Sequence, residues 1–374
     1  MQQRAFKFAI STLAAGLVCT ASVHVLAAPS GWLNVDGLLQ FDSGAGGTYD
    51  WANSGPGPNT DCTGTPVVQP SVGGSGGLFN GGQCGVGTAP PTAPTLTPTA
   101  AADPSIISAV FVVDPIGGDT GVCNNDPTTL TGGGPKNGDA IASYSWGSGT
   151  SSPKTELSNV YAVSHTKANG HPEVYFGAER LVNNGDSHMD FEFMQSVVST
   201  TGNCSAGGGF TGNRTEGDLL FAVDFTNGGA LAGFTVYQWH CAAEPGPQPA
   251  DGTVCNPTGV QHYEAFLATP FASLTVNAAQ ISCGGWVCRD QVTNDPKTIA
   301  ANDLVEGGVD LQGIPFTGCF NTFLPHTRSA QSFTSVLQDF AGPLNFKSCR
   351  DPATSSTSSP TGAGVSRFAA WNLL

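Results

Sequence analysis

The sequence predicts an all-β fold, a sandwich or barrel of short strands joined by long loops. Of 374 residues, 50 are glycine and 26 are proline, and only 11% are charged. This composition is rich in turn formers and poor in the Glu/Lys/Leu/Ala patterns that build long helices. Several apolar runs also alternate with a period of two between Gly, Asn and Pro turns. Together these features favour many short strands over helices.

The N-terminus predicts export. Arg4 and Lys7 precede an apolar run at 8–18, and Ala27 and Ala28 supply the small residues of a cleavage site. This is the pattern of a secretory signal peptide, here residues 1–27. The run is shorter than the roughly 18 residues of a membrane span, and no later segment qualifies. We therefore expect an exported chain without a transmembrane segment, located outside the cell or at its surface, with the periplasm as an alternative.

Cysteine content and charge fit that location. The chain has 11 cysteines, and removal of Cys19 with the signal peptide would leave an even number, which predicts disulfides in an exported protein. The 28 acidic residues outnumber the 13 basic ones and give a formal charge of −15. Phosphate backbones would repel such a surface, so nucleic acid is excluded as a partner.

We expect one domain at 28–349, with a Gly/Pro-rich loop insertion at 54–103 and a flexible tail at 350–374. A Cys62–Cys84 bridge would staple the insertion. Apolar runs predict strands at 31–41, 106–113, 141–146 and 157–165, whereas 261–281 mixes helix and strand periods, and 333–340 favours a strand.

The clearest pattern lies at 173–195 and predicts a β-hairpin. Val174, Phe176 and Ala178 alternate with Tyr175, Gly177 and Glu179. After Asn183-Asn184-Gly185-Asp186, Met189, Phe191 and Phe193 alternate with His188, Asp190 and Glu192. Alternation on both sides of an Asn/Gly/Asp turn is typical of a hairpin. A second hairpin is predicted at 217–239 around the turn 226–229. Local disulfides are expected to close the loops between Cys241 and Cys255 and between Cys283 and Cys288.

The polar face of the first hairpin is the candidate site. Its residues are Asp186, His188, Asp190, Glu192, Tyr175 and Glu179. Three interpretations are open. The acids could pair with Arg180, Arg214, Lys154 or Arg328 on a structural face. They could hold calcium or sugar hydroxyls beside a stacking ring from Tyr161, Tyr175, Tyr237 or Trp239. Asp190 and Glu192 could also serve as the two carboxylates of a glycoside hydrolase.

No cofactor is required by any motif, but calcium has two candidate locations. One is the hairpin, at Asp186 and Asp190. The other is a Gly/Asn-rich segment with Asp114, Asp119 and Asp126, which lacks the spacing and closing glutamate of an EF-hand.

Several motifs resemble a broad group of largely uncharacterised bacterial exported or surface proteins. The matching segments are KTELSNVYA at 154–162, YFGAER at 175–180, NGD at 184–186, DFEFMQ at 190–195 and GDLL at 217–220. The order and spacing fit the group pattern K-x-[DE]-L-x-N-x-Y-A, Y-F-G-x-x-R, N-x-G-D, F-x-F-x-Q and G-D-[LI]-L. The resemblance implies an antiparallel, lectin-like sandwich of jelly-roll type and transfers no reaction.

These observations predict a non-enzymatic surface or extracellular binding protein, with carbohydrate or another cell-surface component as its partner. A glycan-active enzyme using Asp190 and Glu192 is the first alternative. A purely structural extracellular protein is the second.

Overall fold

The computed structural model describes residues 31–350 apart from 41–46, 53–75, 82–90, 120–125, 227, 244, 257–258, 267–270, 284–285 and 315. In this part of the chain nearly every regular element is a strand, and nearly all strand pairs are antiparallel, which confirms the predicted all-β sandwich. The predicted signal peptide, the Cys62–Cys84 bridge and the tail beyond residue 350 lie outside the described residues.

The strands follow one another with few helical interruptions. In chain order they are β1 (Asp50–Ala52), β2 (Gly77–Asn80), β3 (Thr95–Leu96), β4 (Ile106–Val113), β5 (Asp126–Thr131), β6 (Ser145–Gly149), β7 (Leu157–Thr166), β8 (Pro172–Arg180), β9 (Ser187–Met194), β10 (Ser199–Asn203), β11 (Gly207–Thr211), β12 (Leu219–Phe225), β13 (Leu231–His240), β14 (His262–Phe266), β15 (Ala272–Val276), β16 (Ile281–Ser282), β17 (Thr298–Ile299), β18 (Leu304–Asp310), β19 (Thr322–Arg328), β20 (Leu337–Phe340) and β21 (Leu344–Asn345). One α-helix, α1 (Pro98–Ala102), and two 3₁₀ turns, Ile141–Ser143 and Leu311–Gly313, complete the described elements.

Two large sheets form the sandwich. The long sheet has the order β10-β11-β6-β5-β20-β19-β9-β12-β13-β14, with β21 beside β19. The short sheet has the order β15-β18-β8-β7-β4. Their facing sides share one apolar core, to which β8 contributes Val174, Phe176 and Ala178 and β9 contributes Met189, Phe191 and Phe193. The alternation predicted an apolar face for five of these residues, Val174, Phe176, Met189, Phe191 and Phe193.

The predicted pairing of 173–180 with 187–194 is wrong. Strand β8 pairs with β7 and β18, whereas β9 pairs with β12 and β19. Residues 181–186 therefore cross from one sheet to the other, and the rings of Phe176 and Phe191 meet across the core with centroids 4.6 Å apart. A hairpin and such a crossing both require alternating apolar residues on two successive strands, so the pattern alone does not distinguish them.

A second core covers the other face of the short sheet. The sheet β1-β2-β3 and α1 contribute to it, together with Leu33 and Leu39 and with apolar residues of the segment 281–304. Tyr161 and Tyr175 point into this core and are fully buried. The region predicted as an insertion at 54–103 thus supplies β2, β3 and α1 where it is described. Position 177 requires glycine, because a Cβ there would lie 2.3 Å from the Tyr161 ring.

The structure confirms several of the other predicted strands and contradicts parts of others. Strands β4 and β7 confirm the runs at 106–113 and 157–165, and β12 and β13 form the second hairpin as predicted. At 141–146 the predicted strand is wrong for its first half, because a 3₁₀ turn occupies Ile141–Ser143 and β6 begins only at Ser145. Disulfides join Cys241 to Cys255 and Cys283 to Cys288, as expected, and a third joins Cys319 to Cys349.

A helix that spans a membrane must be long and apolar. Among the described residues, no helix has the length and apolar character needed to cross a bilayer.

Candidate functional site

The β9 polar face, formed by His188, Asp190 and Glu192, lies on the outer side of the long sheet. The alternation placed these three side chains together correctly. They are nonetheless buried, with exposed fractions of 2%, 0% and 0%. Loops from elsewhere in the chain must therefore cover them, and their partners decide what they can do.

Glu192 is held by an arginine. Arg214 Nε donates to Glu192 Oε1 over 2.6 Å, and the Tyr263 hydroxyl donates to the same oxygen over 2.5 Å. The guanidinium also lies over the Trp239 ring, 4.8 Å from its centroid. Burial lowers the pKa of Arg214, but the charge of Glu192 together with the hydroxyls of Tyr144 and Tyr263 outweighs burial, and the pKa is raised well above its ordinary value. Glu192 and Arg214 thus form a buried, hydrogen-bonded ion pair.

Asp190 is held in the same manner by Arg328. Arg328 Nε donates to Asp190 Oδ2 over 2.7 Å, and Asn137 Nδ2 donates to the same oxygen over 2.7 Å. His326 Nε2 lies 3.5 Å from it. Burial raises the pKa of Asp190, but the Arg328 charge and the His326 contact outweigh burial and hold it below its ordinary value. Asp190 is therefore an ionised carboxylate at neutral pH.

A network extends to the edge of this face. Arg328 Nη2 donates to Asp224 Oδ1 over 2.9 Å, and His188 Nδ1 is hydrogen-bonded to the same oxygen over 2.7 Å. Arg328 also donates to the backbone oxygen of Gln331 over 2.7 Å, which ties down the loop that follows β19. The ion pairs expected with Arg214 and Arg328 are present, whereas Arg180 pairs with Asp303, which directly precedes β18.

This arrangement is unsuited to glycoside cleavage. A retaining glycosidase needs one carboxylic acid with a raised pKa to protonate the leaving group. Here both carboxylates contact arginines, and Asp190 has a lowered pKa. Two of the rings considered for stacking, Tyr161 and Trp239, are also fully buried. Tyr237 is only partly buried, but its ring stacks on Phe333 at 4.1 Å.

The other predicted site residues lie elsewhere. Asp186 is exposed in the crossing between the sheets. Tyr175 and Glu179 lie on the outer face of the short sheet, because β8 is not a neighbour of β9. The expected single face is therefore divided between opposite sides of the sandwich. The error follows directly from the hairpin assignment.

Glu179 is buried, and the side chains that donate hydrogen bonds to it are neutral. Asn159 Nδ2 donates to its Oε2 over 2.8 Å, and Trp286 Nε1 donates to its Oε1 over 2.9 Å. Burial raises its pKa from 4.5 to about 7, and these hydrogen bonds offset only part of that effect.

This raised pKa predicts a pH-dependent stability. Because the folded protein binds this proton more tightly than the unfolded chain, the contribution of Glu179 is complete below about pH 4.5 and is lost as the pH rises toward about 7. Between pH 5 and pH 8 we expect the wild type to lose about 2–3 kcal/mol relative to a Glu179→Gln variant. Urea unfolding of both proteins at the two pH values measures this change. An equal difference at both pH values would contradict it.

Tyr175 is connected through Glu173 and His165 to an open pocket at the end of the short sheet. Its hydroxyl donates to Glu173 Oε2 over 3.0 Å, and His165 Nε2 is hydrogen-bonded to the same oxygen over 2.8 Å. The imidazole stacks on the Trp32 indole, with centroids 4.1 Å apart and planes within 10°. The Trp32 pocket has a volume of about 610 Å³ and is lined by Trp32, Ser105, His165, Thr166, Lys167, Ala168 and Asn169. Tyr175 thus supports the pocket from behind.

No protein-family model, curated protein or solved structure matches this chain.

Acidic residues also gather at the opposite end of the short sheet. Asp114 and Asp126, both predicted as calcium ligands, share the hydroxyl of Thr128. Asp119 does not join them, because its carboxylate accepts a hydrogen bond from Arg289 over 2.7 Å. Glu156 and Asp339 join the group instead. Sequence reasoning missed these two because they follow at distances of 30 residues or more and no local motif links them to Asp126.

Proposed function

We propose that this chain is an exported, non-enzymatic binding protein with a lectin-like sandwich, and that it binds carbohydrate of an extracellular or cell-surface partner. The observation that carries the proposal is the Trp32 pocket. It combines a partly exposed indole with the Lys167 amine and the Asn169 amide. Sugar rings present C–H faces that stack on aromatic rings and hydroxyls that bind amine and amide groups.

Contacts with neighbouring side chains fix the positions of the polar groups in the pocket. Lys167 Nζ donates to Asp310 Oδ2 over 2.5 Å and lies 3.7 Å from Glu173 Oε1. Asn169 Nδ2 donates to Gln312 Oε1 over 3.0 Å. Polar groups held in this way keep their positions when a ligand arrives, which lowers the entropic cost of binding.

Export is part of the proposal. The predicted signal peptide supports it, and the described disulfides are compatible with an oxidising compartment. The acidic charge is unfavourable for nucleic acid. We do not favour the glycan-active enzyme, because the ion pairs at Asp190 and Glu192 leave neither carboxylate available as a proton donor.

A glycan array tests the proposal. The purified protein is expected to bind a defined set of glycans, and Asn169→Ala should reduce that signal at least tenfold by removing a hydrogen-bonding group worth about 1.5 kcal/mol. Asn184→Ala, an exposed asparagine outside the pocket, is the matched control and should bind as the wild type does. Absence of binding to every glycan, or equal loss in both variants, would overturn the proposal.

A further inference from the structure

Four carboxylates meet where the two sheets of the sandwich come together at one end. Asp114 follows β4 and Glu156 precedes β7, both in the short sheet. Asp126 begins β5 and Asp339 lies in β20, both in the long sheet. Their exposed fractions are 0% for the three aspartates and 2% for Glu156. These four residues are called the carboxylate cluster below.

The spacing fits a single cation. One carboxylate oxygen from each of Asp126, Glu156 and Asp339 lies within 4.8 Å of the other two. Calcium binds oxygen at 2.3–2.6 Å, so two ligands on opposite sides of one ion are about 5 Å apart at most. The group contains neither histidine nor cysteine, and oxygen-only donor sets select calcium, magnesium or manganese over zinc.

A second observation is independent of the acidic character. Glu156 Oε2 and Asp114 Oδ2 are buried and receive no hydrogen bond in the described chain. The other contacts of these carboxylates are to neutral groups: the Gly117 amide donates to Glu156 Oε1 over 3.2 Å, the Ser151 backbone also donates to Glu156, and Thr128 donates to Asp114 Oδ1. A buried, unsatisfied carboxylate oxygen is costly unless an ion or a proton occupies it.

Nearby positive charge does not satisfy the carboxylate cluster. Arg289 lies in its neighbourhood and its charge offsets part of the negative charge, but its guanidinium donates to Asp119 and to the backbone oxygens of Asp114 and Ser158. Burial, together with the charges of the other three acids, raises the pKa of Asp339 well above its ordinary value. Without a cation, the four side chains therefore share an excess of negative charge that only protons can relieve.

We propose that Asp126, Glu156 and Asp339, with the buried Asp114 carboxylate beside them, bind one calcium ion that cross-links the short sheet to the long sheet. Calcium is favoured over magnesium because the ligands come from three separate segments, and calcium tolerates irregular geometry whereas magnesium demands a near-ideal octahedron. The role is structural. Residue Glu156 precedes β7 and His165 lies near the other end of that strand, so the ion and the Trp32 pocket are about 30 Å apart by strand rise. This inference therefore goes beyond the proposed function and does not depend on it.

Calorimetric titration and thermal unfolding test the proposal. Purified protein is stripped with EDTA, dialysed and titrated with CaCl₂, with MgCl₂ as a parallel arm. We expect one calcium ion per chain and a rise in Tm of about 5 °C when calcium exceeds its Kd a hundredfold. Magnesium should bind at least tenfold more weakly.

Two variants keep the test decisive. Glu156→Gln removes one negative charge from a crowded site, so in EDTA it should unfold at the same temperature as the wild type or above it, yet its Tm should not respond to calcium. Asp186→Asn, at the exposed aspartate of the other predicted calcium location, should respond as the wild type does.

Two results would contradict the calcium site. A wild type that binds no calcium, or whose Tm is the same in calcium and in EDTA, would show that the carboxylate cluster is held by protons. Loss of calcium binding in Asp186→Asn with retention in Glu156→Gln would place the ion elsewhere. Either result overturns the proposal.

Discussion

Replacing Arg214 with methionine is expected to destabilise the protein by about 3–5 kcal/mol. The methionine would leave Glu192 as a fully buried carboxylate, with the Tyr263 hydroxyl but no positive charge. Removing one partner of a buried ion pair is far more costly than removing both, because the remaining charge stays desolvated. Urea unfolding at pH 7 should show a lower midpoint with an unchanged slope.

A double variant separates this cause from simple loss of packing. Glu192→Gln with Arg214→Met removes both charges and should recover at least 1 kcal/mol of the loss. Arg350→Ala, at an exposed arginine, is the control and should change stability by less than about 0.5 kcal/mol. If the double variant were as unstable as Arg214→Met, the ion pair would not be the source of the effect.

Phe193→Ala is expected to cost about 3–5 kcal/mol through a cavity at the centre of the sandwich. The side chain is fully buried, and its ring stacks on Phe323 with centroids 4.6 Å apart. It also contacts rings from both sheets and from the C-terminal part of the domain, namely Phe176, Phe221, Phe320 and Phe346. Thermal or urea unfolding measures the loss.

Val197→Ala provides the comparison, because this nearby valine is 70% exposed and should cost less than about 0.5 kcal/mol. The contrast also tests the crossing between the sheets. In a hairpin on a single sheet, Phe193 would not face Phe176 across a core. A loss below 1 kcal/mol for Phe193→Ala would show that the ring lies near the surface.

The positions of β4, β7, β8 and β9 and their apolar faces could be predicted from the sequence because both depend on local alternation, whereas the strands predicted at 31–41 and at 141–143 are wrong where those residues are described. Met189 and Phe191 face the core as the pattern requires. The partners of β8 and β9 could not be predicted, because the six-residue segment 181–186 serves equally well as a turn or as a crossing. The decisive contacts join β8 to β18 and β9 to β19, more than 100 residues later in the chain.

The candidate site shows the same limit. Alternation placed Asp190 and Glu192 on one face, and the sequence offered Arg214 and Arg328 as partners among several basic residues. The pairing of Asp190 with Arg328 depends on β19, and that of Glu192 with Arg214 depends on the loop before β12. The Trp32 pocket went unnoticed because its residues come from three separate segments without a shared motif.

Ligand is expected to bind at the Trp32 pocket and not at the β9 polar face. The most direct measurement is the ¹H–¹⁵N spectrum of the tryptophan indole groups during titration with the strongest glycan from the array. We expect the Trp32 indole signal to shift in a saturable manner while those of Trp51 and Trp239, both buried, stay in place. A shift at Trp239, which lies beside Arg214 under the β9 polar face, without a shift at Trp32 would contradict the claim.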